Sequence, residues 1–288
     1  MWPVATIKGT APAKVNLTLH VTGQRDDGRH LLDSLVVFAS AADQLGASVA
    51  PDLRLQVGGP FATGVPTDDS NLVMRAAAAL QQARGVRIGA ALTLDKNLPH
   101  AAGIGGGSSD AAIALTMLAD LWNVAPLPPE APEVLALGAD LPVCLRAPQV
   151  TRMSGIGDVL SPVPDLPRAA LVLVRPPVAV PTQDVFKGLT NKDGAPMEPL
   201  PEGLDFDGFA HWLARQRNDL LPPAQDIAPQ IAEAIASLNA QPQVAVAGMS
   251  GSGATCYGLV RDMATARQVA RVIQVRQMSW WVAPAEIM

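Results

Sequence analysis

A glycine-rich run near the middle of the chain restricts the possible folds more than any other feature of the sequence. Residues 99–112 read PHAAGIGGGSSDAA, and an apolar, alanine-rich segment continues from there to Trp122. Glycine has no Cβ, so backbone N–H groups can turn inward, and Ser108, Ser109 and Asp110 are typical of a helix N-cap and first turn. N–H groups that open onto a helix N-terminus bind anions such as phosphate. The run therefore predicts a phosphate-binding, and more specifically a nucleotide-binding, protein.

Two common nucleotide-binding loops do not match this run. A P-loop has a lysine directly after its last glycine, but no lysine lies between Gly103 and Ala114. A dinucleotide-binding loop has a third glycine, where this chain has Ser108, and an acidic residue at the end of the next strand. Here Asp120 lies within the helical segment instead. A glycine-rich turn that binds nothing is the remaining alternative, although so many glycines beside a helix start are entropically costly.

The composition indicates a globular protein and argues against several kinds of partner. The 288 residues are 49% hydrophobic and 16% charged, which is enough apolar material for one large domain or two smaller ones with a sizeable core. A net charge of −5 offers no basic surface for nucleic acid, and no long apolar span or signal peptide is visible. We therefore expect a cytoplasmic protein that binds neither nucleic acid nor membrane. Cys144 and Cys256 lack the spacing of metal ligands and are expected in the core.

Strands and helices follow one another without a βαβ rhythm, which predicts an α+β fold. Prolines at 162, 164 and 167 mark a boundary between an N-terminal lobe, residues 1–160, and a C-terminal lobe, residues 161–288. Apolar residues alternate from Val15 to Val21 and predict a strand with one buried face. Lys14 and Asn16 would then share its polar face, about 7 Å apart.

Two charged residues are candidates for chemistry, and each also has a simpler interpretation. Lys14 is expected to face solvent if the strand is half-buried. Asp140 lies in the apolar segment 137–145, where an unpaired carboxylate is costly to bury. It is either a turn residue that follows a helix ending at Gly138 or a catalytic base.

Three motifs together resemble a superfamily of small-molecule kinases. The first comprises APAKVNLTLHV (11–21) and GQRDDGRH (23–30), the second is the glycine-rich run, and the third is GMSGSGATC (248–256). They occur in the order found in the GHMP superfamily, which contains galactokinase, homoserine kinase, mevalonate kinase and phosphomevalonate kinase. The resemblance implies an α+β, two-lobed fold with the active site between the lobes, and ATP as phosphate donor. Mg²⁺ is expected with the ATP, with Ser109 and the phosphates as candidate ligands.

The first motif is similar to a narrower branch of this superfamily. Members of that branch phosphorylate the 2-hydroxyl of 4-diphosphocytidyl-2-C-methyl-D-erythritol in the non-mevalonate pathway to isoprenoid precursors. The resemblance makes Asp140 the base that accepts the acceptor's proton, and Lys14 the cation that keeps Asp140 ionised and steadies the transferring phosphoryl group. It assigns ATP binding to Pro99, His100, Ala101, Ala102, Gly103, Ile104, Gly105, Gly106, Gly107, Ser108 and Ser109, with Asn71, Leu72 and Lys96 beside the adenine. Asn71 is equally well explained as a helix cap.

The same resemblance assigns the acceptor site. Its residues are Asn16, Arg29, His30, Thr182, Phe186, Gly251, Ser252 and Gly253. Asn16 would orient the acceptor, and His30 would read the cytosine through hydrogen bonds. Phe186 is nearly as well explained as a core residue, and residues 251–253 as a tight turn. Arg29 departs from the family pattern, which has tyrosine there; a guanidinium plane can also stack on a base.

Two other functions are compatible with these motifs. One is a related kinase that acts on another alcohol, such as homoserine or mevalonate, which the first motif argues against. The other is a catalytically silent nucleotide-binding protein, which has no need to keep Lys14, Asp140 and the glycine-rich run together. A silent protein would bind ATP and never release ADP with any acceptor.

Overall fold

The structure is a computed structural model that describes residues 6–288, and it contains two compact units. Unit 1 contains the described residues up to Ala13, together with Ala42–His100 and Gly105–Ala147. Unit 2 contains Lys14–Ala41, Ala101–Ile104 and Pro148–Met288. The two units are not consecutive stretches of chain, whereas a single boundary near residue 160 was expected. The division into lobes at residues 160 and 161 stays a prediction.

The elements have the following bounds. The strands are β1 (Ile7–Asn16), β2 (His20–Gln24), β3 (His30–Ala50), β4 (Arg54–Gly58), β5 (Gly89–Asp95), β6 (Thr151–Gly155), β7 (Val159–Pro162), β8 (Ala170–Arg175), β9 (Val246–Met249), β10 (Cys256–Val260) and β11 (Trp281–Glu286). The helices are α1 (Leu72–Arg84), α2 (Gly106–Leu121), α3 (Pro132–Leu137), α4 (Leu141–Cys144), α5 (Thr182–Lys187), α6 (Phe206–Ala214), α7 (Leu221–Ile227), α8 (Gln230–Asn239) and α9 (Met263–Arg276).

Unit 1 contains helices α1 to α4 and a group of strands. Residues 44–50 of β3 pair antiparallel with β5, which pairs parallel with β4. A side chain at Gly9 of β1 would come within 2.5 Å of Ile113 and Met117, so glycine is what allows α2 to approach this strand closely. In α1, the Asn71 side chain accepts from the Val73 N–H, and Gly85 in the left-handed region ends the helix.

Unit 2 contains a four-stranded antiparallel sheet in the order β11-β8-β10-β9. Its β8 lies between two strands and is buried on both faces, which explains its run of apolar residues. Residues 32–36 of β3 pair with β6 in a second group of strands. There Arg152 makes a bidentate ion pair with Asp33, at 2.7 and 2.6 Å, and Asp33 also accepts from the Met197 N–H. This contact ties the segment after α5 to β3.

Several predicted boundaries differ from the structure. The strand predicted from Val15 to Val21 is interrupted, because β1 ends at Asn16 and β2 begins at His20. Its supposedly polar face is buried as well: Lys14, Asn16, Thr18 and His20 are all less than 5% exposed. Apolar and polar residues do alternate in this segment, but both sets of side chains are buried. The polar face does not lie in solvent.

The α+β prediction is confirmed, and the cysteines are buried as expected. Burial raises the pKa of the Cys256 thiol to about 12. Within residues 6–288, the helices are all too short or too polar to cross a bilayer.

Candidate functional site

The glycine-rich run ends in the N-terminus of α2, as predicted, but the helix begins earlier than its serines suggest. Its N-cap is Gly105, in the left-handed region at φ 61°, and Gly106 and Gly107 are already helical. The N-cap residue has no side chain, so it does not cap the first N–H groups of the helix. N–H groups that are left uncapped in this way can bind an anion. Ser108 and Ser109 lie within the helix. The Ser109 hydroxyl donates to the Pro12 carbonyl at 2.6 Å, so a tertiary contact replaces capping.

The first half of the run is held within unit 2. Three successive carbonyls accept hydrogen bonds: that of Ala102 from the Thr255 N–H, that of Gly103 from the Ser250 hydroxyl, and that of Ile104 from the Lys14 N–H. At Gly103, φ is +73°, and a Cβ would lie 2.6 Å from the Gly253 carbonyl oxygen. Only glycine fits this position. Of the remaining predicted loop residues, Pro99 is buried, whereas His100 and Ala101 are exposed.

A buried ion cluster, formed by Asp43, Lys96 and Asp110, lies beside the start of α2 in unit 1. The Lys96 ammonium donates to Asp43 at 2.5 Å and to Asp110 at 2.8 Å, and all three side chains are almost fully buried. The other Asp43 oxygen accepts from the Asn97 and Leu98 N–H groups. Gly106 is close enough that a Cβ there would lie 3.5 Å from the ammonium. The ion cluster thus supports the residues that begin the helix.

Both the side chain and the backbone of Lys96 have partners within unit 1. Its ammonium is shared by two carboxylates, while its backbone N–H donates to the Gly58 carbonyl and its carbonyl accepts from Phe61. Lys96 is therefore primarily a partner of buried carboxylates, and its contact with adenine stays a prediction. Asp43 and the carboxylate role of Asp110 were missed. An acid within the apolar strand β3 was the available signal, by the same reasoning that singled out Asp140.

The ion cluster carries one net negative charge when all three groups are ionised, and this affects proton binding. Burial and the neighbouring Asp43, opposed by Lys96, raise the pKa of Asp110 from 3.8 to about 7. One Asp110 oxygen is buried without a hydrogen-bond partner among residues 6–288. For Lys96, burial lowers the pKa, but the two carboxylates outweigh it and leave the pKa raised.

We expect the contribution of Asp110 to the stability of the protein to fall as pH rises from about 4 to about 7. In that range the folded protein keeps a proton on Asp110 that the unfolded chain has released, so this contribution to the free energy of unfolding decreases with pH. Asp110→Asn cannot titrate, so the slope of the free energy of unfolding against pH should become more positive in this range than in the wild type, as measured by urea unfolding at several pH values. Asp120→Asn, an exposed carboxylate on the same helix, is the control. An unchanged slope in Asp110→Asn would contradict the assignment.

Asn71 and Leu72 stand at the start of α1, and the capping interpretation of Asn71 is confirmed. Its carbonyl oxygen caps Val73 and its amide donates to the Pro66 carbonyl. Leu72 is half-buried as the first residue of the helix. The contact of both residues with adenine stays a prediction.

The two predicted catalytic residues lie in different units. Lys14 is near the end of β1 in unit 2 and is buried. Asp140 directly precedes α4 in unit 1, two residues after Gly138 ends α3, and is half-buried. Their catalytic roles stay predictions. Within residues 6–288, no cluster of three or more His, Cys, Asp or Glu side chains could hold a metal ion.

Asn16 is the last residue of β1 and is almost fully buried. Its amide donates to the Ser34 hydroxyl at 2.7 Å, and Ser34 in turn donates to the Thr18 carbonyl. The Asn16 carbonyl oxygen has no hydrogen-bond partner among the residues that the structure describes. Buried polar atoms are normally paired. This oxygen is therefore suited to accept a hydrogen bond from a bound hydroxyl.

His30 and Phe186 form an aromatic pair within unit 2. Their ring centroids are 5.0 Å apart and their planes differ by 22°. Burial, assisted by the positive charge of Lys192, lowers the pKa of His30 and favours the neutral ring at pH 7. The His30 Nε2 atom is buried and has no partner in the described part of the chain. Phe186 also packs against the unit 2 core but is not fully buried, so both interpretations of this residue have support.

The other predicted acceptor residues are distributed around two turns of unit 2. Thr182 and Ser252 share a hydrogen bond of 2.8 Å between their hydroxyl groups. Gly251 and Gly253 both have positive φ, as expected for a tight turn, and a Cβ at Gly251 would lie 3.5 Å from the Asn16 carbonyl oxygen. Arg29 is exposed in the turn before β3, and its N–H donates to Asp27. Stacking of Arg29 on a base stays a prediction.

Comparisons with known proteins decide the family. Two family models match the chain: GHMP kinases N terminal domain over residues 71–161 and GHMP kinases C terminal over residues 202–277. A 4-diphosphocytidyl-2-C-methyl-D-erythritol kinase of Cereibacter sphaeroides is 53% identical over 279 residues, which cover 96% of this chain and 98% of that protein. The chain belongs to the 4-diphosphocytidyl-2-C-methyl-D-erythritol kinase family.

Solved structures agree with membership of this kinase family. The crystal structure of a 4-(cytidine 5'-diphospho)-2C-methyl-D-erythritol kinase superposes with a TM-score of 0.79 at 32% identity, over 97% of this chain and 99% of that one. A mevalonate kinase of L. major, solved with R-mevalonate, superposes with a TM-score of 0.70 at 13% identity, over 99% and 97% of the two chains. The second likeness concerns the fold alone. The resemblance to GHMP kinases is confirmed.

Proposed function

We propose that this protein transfers the γ-phosphate of ATP to the 2-hydroxyl of 4-diphosphocytidyl-2-C-methyl-D-erythritol, releasing ADP and the 2-phosphate. Beyond family membership, the observation that carries the proposal is a pair of buried, unsatisfied polar atoms in unit 2. The Asn16 carbonyl oxygen can accept from a hydroxyl, and His30 Nε2 can hydrogen-bond to a base beside the Phe186 ring. A hydroxyl and a base are the two ends of this acceptor.

The spacing of these two atoms fits an extended acceptor. Asn16 is held by Ser34, and both Ser34 and His30 belong to β3. They are four residues apart and therefore lie on the same face of the strand, separated by about 13 Å. A molecule that joins a cytosine to a small polyol through a ribose and a diphosphate is long enough to reach both. Homoserine and mevalonate have no base to offer to His30 and Phe186.

The proposed chemistry depends mainly on positioning and charge. Asp140 accepts the proton of the acceptor hydroxyl, and Lys14 stabilises the charge that develops on the transferring phosphoryl group. The start of α2 cradles the phosphates of ATP. Mg²⁺ would enter with the ATP phosphates, because it is usually held by phosphates and only one or two protein oxygens. ATP and the cytidyl compound are the proposed partners, and the cytoplasm, where ATP is available, is the proposed location.

The test is an ADP-release assay with magnesium and ATP. The diphosphocytidyl acceptor is compared with mevalonate, with homoserine and with no acceptor. ADP release with the cytidyl compound alone supports the proposal. Release with mevalonate or homoserine instead assigns another alcohol kinase, and ATP binding without ADP release from any acceptor indicates a silent nucleotide-binding protein.

Phe186→Ala is expected to weaken acceptor binding without impairing the phosphoryl transfer. Removing an aromatic ring from a base typically costs about 1–3 kcal/mol, so the KM for the cytidyl acceptor should rise about 5- to 150-fold. The KM for ATP and kcat should stay near wild type, and Phe186→Tyr, which keeps the ring, should resemble wild type. Steady-state kinetics with each substrate varied in turn provides the measurement. A rise in the KM for ATP instead would argue that the ring only stabilises the core.

A further inference from the structure

Ser250, which none of the predicted site assignments includes, lies in the turn between β9 and β10 of unit 2 and is fully buried. Its hydroxyl accepts a hydrogen bond from the Asn16 N–H at 3.0 Å and donates one to the Gly103 carbonyl at 2.9 Å. Both the proton and an acceptor site of the hydroxyl are thus used inside the protein. Ser250 has no proton to offer to a substrate while these bonds persist.

The Ser250 hydroxyl joins two segments that the proposed function uses for different purposes. Asn16 ends the strand that also carries Lys14, and its side-chain oxygen is proposed to hold the acceptor hydroxyl. Gly103 belongs to the first half of the glycine-rich run and is confined to its conformation by close contacts with the same turn. Displacing Ser250 would therefore release the acceptor strand and the nucleotide run together.

The position of Ser250 is itself determined on both sides. Its N–H donates to the Thr255 carbonyl, and its carbonyl accepts from the Gly253 N–H. Met249 and Gly251 flank Ser250 in the chain. The Asn218 amide donates to the carbonyls of both residues, at 2.8 and 2.9 Å. The Asn218 carbonyl oxygen accepts from the Leu220 N–H, which fixes the orientation of this amide.

We propose that Ser250 is a positioning residue for the kinase reaction and that Asn218 holds it in place. The inference rests on the proposed function, since it concerns how the acceptor strand and the glycine-rich run of that same site are aligned. Ser250 touches no reacting atom. Its contribution is to fix the positions of Asn16 and Gly103 relative to each other, so that the acceptor and the nucleotide each bind to a preformed site.

The test compares Ser250→Ala with Ser250→Thr, which keeps the hydroxyl. Because Ser250→Ala removes the hydrogen bonds that align Asn16 and Gly103, it should raise the KM for ATP and the KM for the acceptor by about 5-fold or more each. Binding of a non-hydrolysable ATP analogue, measured by calorimetry, should weaken in parallel. Ser250→Thr should recover most of both affinities. Asn218→Asp, which keeps the size but loses both donors, should reproduce the Ser250→Ala pattern if Ser250→Ala or Ser250→Thr fails to fold.

Ser40→Ala is a control for the chemical change, because the Ser40 hydroxyl also accepts a backbone N–H, that of Glu286, at 2.9 Å in unit 2, although Ser40 is exposed. It should change none of these constants. If Ser250→Ala lowers only the melting temperature and leaves both KM values and analogue binding unchanged, Ser250 is merely structural and the inference is overturned. Failure of the proposed function can be distinguished from failure of this inference. If the proposed function is wrong, the wild-type protein itself releases no ADP with the cytidyl acceptor.

Discussion

Asp140→Asn is expected to lower kcat by about 10²- to 10⁴-fold, the range in which a general base contributes to catalysis. Asparagine has nearly the size of aspartate but cannot take the proton of the acceptor hydroxyl. Asp140 is half-buried before α4, outside the glycine-rich run that is proposed to hold the phosphates. Affinity for ATP should therefore change little. ADP release measures turnover, and calorimetry with an ATP analogue measures binding.

Two results separate this role from a structural one. Asp120→Asn, an exposed change on α2, should leave turnover near wild type. The melting temperature of Asp140→Asn should also stay close to wild type, so that lost activity does not reflect unfolding. Should Asp140→Asn turn over at the wild-type rate, Asp140 would not be the base, and its interpretation as a turn residue would stand.

Lys96→Met is expected to reduce the free energy of unfolding by about 3–5 kcal/mol, since it leaves buried carboxylates without their cation. Lys96 lies between Asp43 and Asp110, and all three are nearly inaccessible to solvent. Methionine fills a similar volume, so the loss should come from charge rather than from a cavity. Chemical denaturation at pH 7 and above, where Asp110 is more fully ionised, gives the clearest measurement.

Lys187→Met provides a control with the same chemical change. Lys187 pairs with Asp184 at 2.9 Å, but both side chains are more than half exposed, and such pairs contribute at most about 1 kcal/mol. The expected difference between the two variants is thus several kcal/mol. Lys96→Met should also become less harmful as pH falls below about 7, where protonation of Asp110 removes one of the two charges. Equal stability of Lys96→Met and Lys187→Met would show that the ion cluster is not a structural requirement.

The family and the main elements could be predicted from local sequence. The glycine-rich run indicated a helix N-terminus of the kind that binds anions, and α2 does begin within this run. Family motifs pointed to Asn16, His30 and Phe186, and the structure gives these residues unsatisfied atoms or a ring contact that suit their predicted roles. These signals are local, because strand and helix periods and backbone freedom are properties of neighbouring residues.

Other features depend on residues far apart in the chain. Lys96 was expected beside a nucleotide, but Asp43, 53 residues away, turns it into the centre of an ion cluster. The serines of the run were expected at the N-cap and first turn of a helix. The Ser109 hydroxyl instead donates to the carbonyl of Pro12, 97 residues away. Ser250 meets Asn16 across 234 residues.

The sequence by itself therefore determined the kinase family, the α+β class and the types of residue available for the reaction. The tertiary structure alone decided which polar groups are paired inside the protein and which, such as the Asn16 oxygen and His30 Nε2, have no hydrogen-bond partner among residues 6–288. The physical reason is that a hydrogen bond or ion pair forms between whichever groups folding brings within about 3 Å, and sequence separation does not limit that distance.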